Sequence, residues 1–141
     1  MQKRQKIIET GKKLKLKGVR YKLGAKAIPP QIPTYLDCSG FVRYCYLSAG
    51  LRIPDGTYYQ WQESEPVKNL QVGDIGIMHD PTKLRKKVNH IGIYVGNGEW
   101  MHCNYSRNSI TIEKTDIFKH HRRFKNVDFG EEGTSYMKKD V

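Results

Sequence analysis

Residues 34–45 read TYLDCSGFVRYC, with Cys38 set between Asp37 and Ser39 and followed by Gly40 and a run of apolar and aromatic residues. Phe41, Val42, Cys45, Tyr46 and Ala49 recur at three- and four-residue spacing, and Gly50 supplies a natural stop. The spacing predicts a helix from Cys38 to Ala49 that opens on the cysteine itself. A free thiol has a pKa of about 8.5, and the unpaired amides and dipole of a helix N-terminus favour its anion. Cys38 is therefore expected to be a thiolate nucleophile. Its own N–H and that of a neighbour would be free to bond a developing oxyanion. Most lone cysteines are small buried hydrophobes, so the chemistry needs a base.

A base is offered by NHIGIYVGNGEWMHC, residues 89–103, in which GNG at 96–98 is a hairpin turn signal. Folding about Asn97 sets Gly92 opposite His102 and leaves His90 diagonal to it. Positions of matching parity share a face, so His90, Gly92, Tyr94 and His102 are expected to point the same way. A nucleophile, a general base and an orienting third group would then be assembled. His90 would take the thiol proton and later give it to the leaving amine, while His102 would fix the His90 tautomer.

The elements that must position these residues follow from texture. Lys3 to Leu16 suits a basic amphipathic helix weakened by Gly11. Ala27 to Thr34, with Pro29, Pro30 and Pro33, reads as an extended loop, and TYYQWQE as a short helix after the Pro54 turn. Beyond Gly73 come β-type runs at Ile75–Met78, His90–Val95, Glu99–Asn104 and Ile110–Glu113. Helices first and antiparallel strands afterwards imply an α+β fold with the helices on one side of the sheet.

Composition narrows the function classes. The 141 residues suffice for one domain with a real core and no staple. Three cysteines without a CxxC unit argue against a disulfide framework or structural zinc. A zinc site of Cys38, His90 and His102 has no HExxH or CxxC signature behind it, and nothing calls for a metal or cofactor. No apolar run approaches the roughly 20 residues of a membrane span, and charges occupy the place of a signal peptide's apolar segment. The net charge is +11, from 25 Lys+Arg against 14 Asp+Glu. Dense basic stretches lie at Lys3–Lys17, Lys83–Lys87 and Lys119–Lys125. Such an excess attracts polyanions, with wall polymers or nucleic acid as candidates, unless it is simply a solvated face.

YLDCSGFVRYCY, VGDIGIM and NHIGIYVGNGEWMHC together resemble the NlpC/P60 cysteine peptidases. Their pattern is DCSGFV, then GD before a hydrophobic strand, then H-[IV]-G-[IV]-Y with GNG and a second histidine. The order and spacing agree across most of the chain. The resemblance implies a papain-like fold over residues 1–141, taken as a single catalytic domain with a basic N-terminal helix in 1–20, a five- to six-stranded antiparallel sheet and a tail at 130–141. It implies a peptidoglycan hydrolase that commonly cleaves the γ-D-Glu to diamino acid bond of the stem peptide. Cys38 is then the nucleophile, His90 the base and His102 the third residue. Tyr21 matches the family tyrosine that contributes a hydroxyl, and Asp37 and Ser39 flank the nucleophile where the family reads the stem peptide's free amine. Gln60 belongs with them as a substrate-binding candidate. Three departures stand out. The loop from Tyr21 to Cys38 is long, YKLGA replaces the usual aromatic-Gly-Gly, and IPDGTYYQW keeps Pro54 and Gln60 but lacks an arginine. The insert DPTKLRKKVN before His90 is read as a substrate or wall contact.

The remaining residues receive structural readings. Cys45 is expected to be packed, and Cys103 to point away from the site by parity. His79 is assigned to a loop end, His120 and His121 to a solvated basic segment, and Trp61 and Trp100 to core or rim packing over sugar stacking. Two other classes stay open: a CHAP-like amidase or cross-bridge peptidase, and a non-catalytic module for wall polymer or nucleic acid. His102 at its spacing argues against the CHAP-like amidase, and only the charge speaks for the binding module. The chain is expected to act on the bacterial wall as a monomer, without a membrane span and with nucleic acid a poor candidate partner. With no signal peptide, it would be phage-encoded or part of a larger lytic or conjugation protein.

Overall fold

The computed structural model describes residues 2–78 and 90–130. His79, the insert at 80–89 and the tail beyond Gly130, on which expectations were placed, lie outside the described residues. The chain runs through α1 (Lys3–Leu16), β1 (Arg20–Tyr21), β2 (Tyr35–Leu36), α2 (Cys38–Ser48) and α3 (Thr57–Gln62). The strands β3 (Ser64–Pro66), β4 (Ile75–Met78), β5 (His90–Gly96), β6 (Glu99–Asn104), β7 (Ser109–Lys114) and β8 (His120–Phe124) follow. These last six form one antiparallel sheet in the order β3-β8-β4-β5-β6-β7. The α+β expectation, with Cys38 opening a helix, is what the fold delivers.

Three features differ from the expectation. β1 and β2 form a separate parallel pair, with Tyr21 opposite Leu36. The short β3 carries too few residues for an alternating signal. β8 is a strand in what reads as a solvated basic segment: His120 packs edge-on against Trp61 at 5.1 Å, and His121, though exposed, lies along Trp100 at 5.4 Å. Neighbouring aromatic rings give these polar residues a sheet surface to cover.

The β5–β6 hairpin sets the geometry that matters. Asn97 and Gly98 both have positive φ, which closes the turn. Ile93 pairs with Met101 and Tyr94 with Trp100, with a bulge between Tyr94 and Gly96. Ile75, Ile77, Ile91, Ile93, Met101 and Cys103 join the hydrophobic core beneath the helices. Gly11, read as a weakness in α1, is instead where that helix closes on its neighbours: a methyl there would lie 2.1 Å from Met101 Cε and 3.0 Å from the Phe41 ring.

The opposite parity builds a second, aromatic face. A Cβ on Gly76 or Gly92 would lie 2.6 Å from Phe118, so the two glycines leave the space that Phe118 fills. Phe118, in the β7–β8 connection, crosses this face and is 2 % exposed. Trp100 is buried beneath it, 5.0 Å between ring centres, which takes that ring out of reach of a sugar. Trp61 is covered by the Arg122 guanidinium at 3.7 Å. Beneath α1, the fully buried Asp74 is paired with Arg4 at 3.1 Å and with Arg123 at 2.7 Å, so its charge is compensated.

Candidate active site

β2 delivers the chain to Asp37, whose carboxylate caps α2 by accepting from the Gly40 N–H at 2.7 Å. Cys38 is the first residue of the helix and is 7 % exposed. Its sulfur lies 3.7 Å from the Thr57 hydroxyl and takes backbone hydrogen bonds from Ile91 and Ser39. The Ile91 contact seats β5 against Cys38 one residue beyond His90. Burial nevertheless pushes the Cys38 thiol up from its ordinary value, and Asp37 adds to this against the lowering effect of Thr57, Ile91 and Ser39. This differs from the thiolate expectation: withdrawing water from the anion outweighs what the hydrogen bonds from Thr57, Ile91 and Ser39 return. The resting group is a neutral thiol.

His90 and His102 meet through Nε2 and Nδ1 at 2.8 Å, their rings at 74°. Phe118 braces both, stacked on His90 at 5.6 Å and edge-on to His102 at 5.2 Å. Burial lowers His90 to about 4, with His102 contributing. Burial also lowers His102, against a raising effect of Glu113. Both imidazoles are neutral at neutral pH, so the site rests with a neutral thiol and two neutral imidazoles. His102, fully buried, continues through Nε2 to Glu113 Oε2 at 2.8 Å.

Tyr21 lies near Cys38, its hydroxyl pushed up to about 12 by burial and then by Cys38. It keeps its proton and can donate. Asp37 and Ser39 are both buried. The Lys26 ammonium donates to both Asp37 oxygens, at 2.8 and 2.9 Å, and to Ser39 Oγ at 2.9 Å. It also pairs with Asp55 at 2.9 Å. With Gly24 N–H on the second oxygen at 3.1 Å, the acidic group expected to read a substrate amine is already engaged by this chain's own cation. Gln60 differs from a substrate contact: it has no exposed surface, and its Nε2 donates to the carbonyls of Ser39 at 3.2 Å and Pro54 at 2.9 Å. It ties α3 to the first turn of α2. Cys45 is fully buried, and Cys103 is turned to the Leu36 carbonyl at 3.3 Å.

Sequence reasoning missed Lys26, Thr57, Glu113 and Phe118. Of these, Glu113 left a signal: Thr111 pairs with His102, and Glu113 lies two residues on with the same parity. Among the described residues no group of His, Cys, Asp and Glu is arranged to hold a metal ion, and no helix is long and apolar enough to cross a membrane.

The NlpC/P60 family pattern matches residues 18–128, and the chain belongs to that family. It is 36% identical over 93 residues to a protein of Escherichia coli (strain K12) named Murein DD-endopeptidase MepS/Murein LD-carboxypeptidase, covering 64% of this chain and 45% of that protein. It is 31% identical over 99 residues to the Bifunctional muramidase/DL-endopeptidase CwlT of Bacillus subtilis (strain 168), covering 69% of this chain and 29% of the relative. The chain thus spans less than half of either relative. Among solved structures, an NlpC/P60 family protein from Bacillus cereus superposes with a TM-score of 0.70 at 26% identity, over 85% of this chain and 39% of the other.

Proposed function

We propose that residues 1–141 form a cysteine endopeptidase domain that hydrolyses stem peptides of bacterial peptidoglycan, with Cys38 as nucleophile, His90 as base and His102 as the group that orients it. The observation that carries this reading is the 2.8 Å contact between His90 and His102, on a strand whose next amide bonds the Cys38 sulfur. As the sulfur attacks the scissile carbonyl, its proton passes to His90. The Cys38 N–H at the helix start and the Tyr21 hydroxyl are the donors available to the oxyanion. His90 returns the proton to the departing amine, and a water then hydrolyses the thioester with His90 again as base. Because thiol and imidazole rest neutral, proton transfer accompanies attack.

The bond assigned first is γ-D-Glu to diamino acid. The two relatives act as endopeptidases on different bonds, DL in the Bacillus protein and DD in the Escherichia protein, which is also an LD-carboxypeptidase, so cross-bridge cleavage is the second reading. His102 as third residue speaks against a CHAP-like amidase, and a thiol at a helix start bonded by the amide next to His90 speaks against a binding module. The site of action is the bacterial wall, reached as a monomer from a phage lysin, a tail-associated hydrolase or a conjugation apparatus, with the basic surface recruiting anionic wall polymer. Digestion of purified peptidoglycan followed by mass spectrometry tests this. New termini at D-Glu and at the diamino acid are expected with the native chain and absent with Cys38→Ala. Identical products from both would overturn the enzyme reading.

A further inference from the structure

The contact between the two imidazoles needs one donor and one acceptor, and the carboxylate at its far end decides which is which. The Glu113 carboxylate only accepts, so the 2.8 Å contact places the His102 proton on Nε2 and leaves Nδ1 with a lone pair. Nδ1 must then accept from His90 Nε2–H across the second 2.8 Å contact. The remaining nitrogen of His90, Nδ1, is left bare, as a base requires. Inverting the chain would set a bare His102 Nε2 against the carboxylate and put the His90 proton on the nitrogen that has to receive one.

We propose that Glu113 is a positioning residue for the reaction, the anchor of a Cys38–His90–His102–Glu113 relay whose hydrogen-bond direction it sets. Three further observations support the assignment. Arg107 Nη2 reaches the other oxygen, Oε1, at 3.4 Å and steadies the carboxylate. The Thr111 hydroxyl lies 3.3 Å from His102 Nε2 and 3.4 Å from Glu113 Oε2, closing a triangle around the bonded proton. His102 has no exposed surface, so with Glu113 in place no bulk water competes for the Nε2 proton. The inference rests on the hydrolase reading for its catalytic consequence, but the proton positions can be measured without turnover.

The test is made on the full chain. In histidine-15N-labelled Cys38→Ala protein at neutral pH, long-range 1H–15N correlations should show both His90 and His102 in the Nε2–H form. Finding His102 as the Nδ1–H tautomer would overturn the proposal. In otherwise native protein, Glu113→Ala should lower kcat roughly tenfold, part of the 10²–10⁴ that a positioned base supplies, with KM little changed. Glu113→Gln should be lower still, because Arg107 retains the carbonyl oxygen and turns the amide NH₂ toward His102 Nε2, which demands the inverted tautomers. Arg107→Ala in the Glu113→Gln background should recover part of the loss, since the amide is then free to rotate. Unchanged kcat and tautomers in both single variants, or Gln outperforming Ala, would also overturn it. If the native chain fails to cut peptidoglycan, the hydrolase reading falls, while the tautomer measurement still decides this one.

Discussion

The two faces of the sheet use the same strands for opposite purposes. Under the helices, Ile75, Ile77, Ile91, Ile93 and Met101 form a continuous apolar layer in which each side chain is fully buried. On the other face Gly76 and Gly92 withhold their side chains, and Trp100, His102 and Phe118 occupy the room. The first face stabilises by area, and neighbours share the loss when one residue is trimmed. The second fixes the direction of two imidazoles, and Phe118 touching both makes that direction depend on a single ring. Stability and chemistry should therefore separate by parity.

The largest effects belong to the aromatic face and the residue it serves. Cys38→Ala should abolish peptidoglycan cleavage with little change in melting temperature, and Cys38→Ser should be nearly as inactive. His90→Ala should fall to the same level, while His102→Gln, which still orients the base in part, should retain measurable activity. Assays with melting curves on the same preparations would show the comparison wrong if the inactive variants were also the unstable ones.

On the helix face, Ile77→Ala should lower stability by about 2–5 kcal/mol in urea denaturation and leave kcat per folded molecule intact. A comparable drop in kcat would mean that the faces are mechanically coupled.

Acidification separates the faces through charge. The folded His90 value of about 4 lies below its ordinary 6.5, and His102 is shifted the same way. Between those two values the unfolded chain binds more protons than the folded one, so stability falls as pH drops through the window. The His90 share is at most about 3 kcal/mol once pH reaches the folded value. His90→Gln should flatten the measured pH dependence, and an unaltered curve would assign it elsewhere.

A smaller insertion tests the space itself. Gly92→Ala places a methyl 2.6 Å from the Phe118 ring and 3.2 Å from His102 Cβ. It should destabilise by about 1–3 kcal/mol and reduce kcat beyond what the lost folded fraction explains. The smallest effect is expected at Lys26. Lys26→Met leaves the Asp37 charge uncompensated beside Cys38, so the pH profile of thiol alkylation should move to more alkaline values. A profile unchanged or shifted to acid would say that Lys26 acts on structure alone.

Much of this architecture was legible without coordinates because its causes are local. The three- and four-residue spacing after Cys38 sets a helix start, with Asp37 as its cap. The GNG turn dictates a hairpin register, and in any strand pair parity decides which side chains share a face. The α+β class and the shared face of His90 and His102 follow from those short-range rules. What depended on residues distant in sequence was invisible. Phe118 reaches the histidines only because the β7–β8 connection crosses the sheet. Lys26 closes on Asp37 only when its loop folds over the helix start. Glu113 needs the β6–β7 register, beyond the hairpin that GNG defines. The neutral Cys38 thiol is hidden for the same reason: a helix terminus is written in sequence, but burial is the sum of every element packed around the sulfur, and that sum outweighs the hydrogen bonds from Thr57, Ile91 and Ser39.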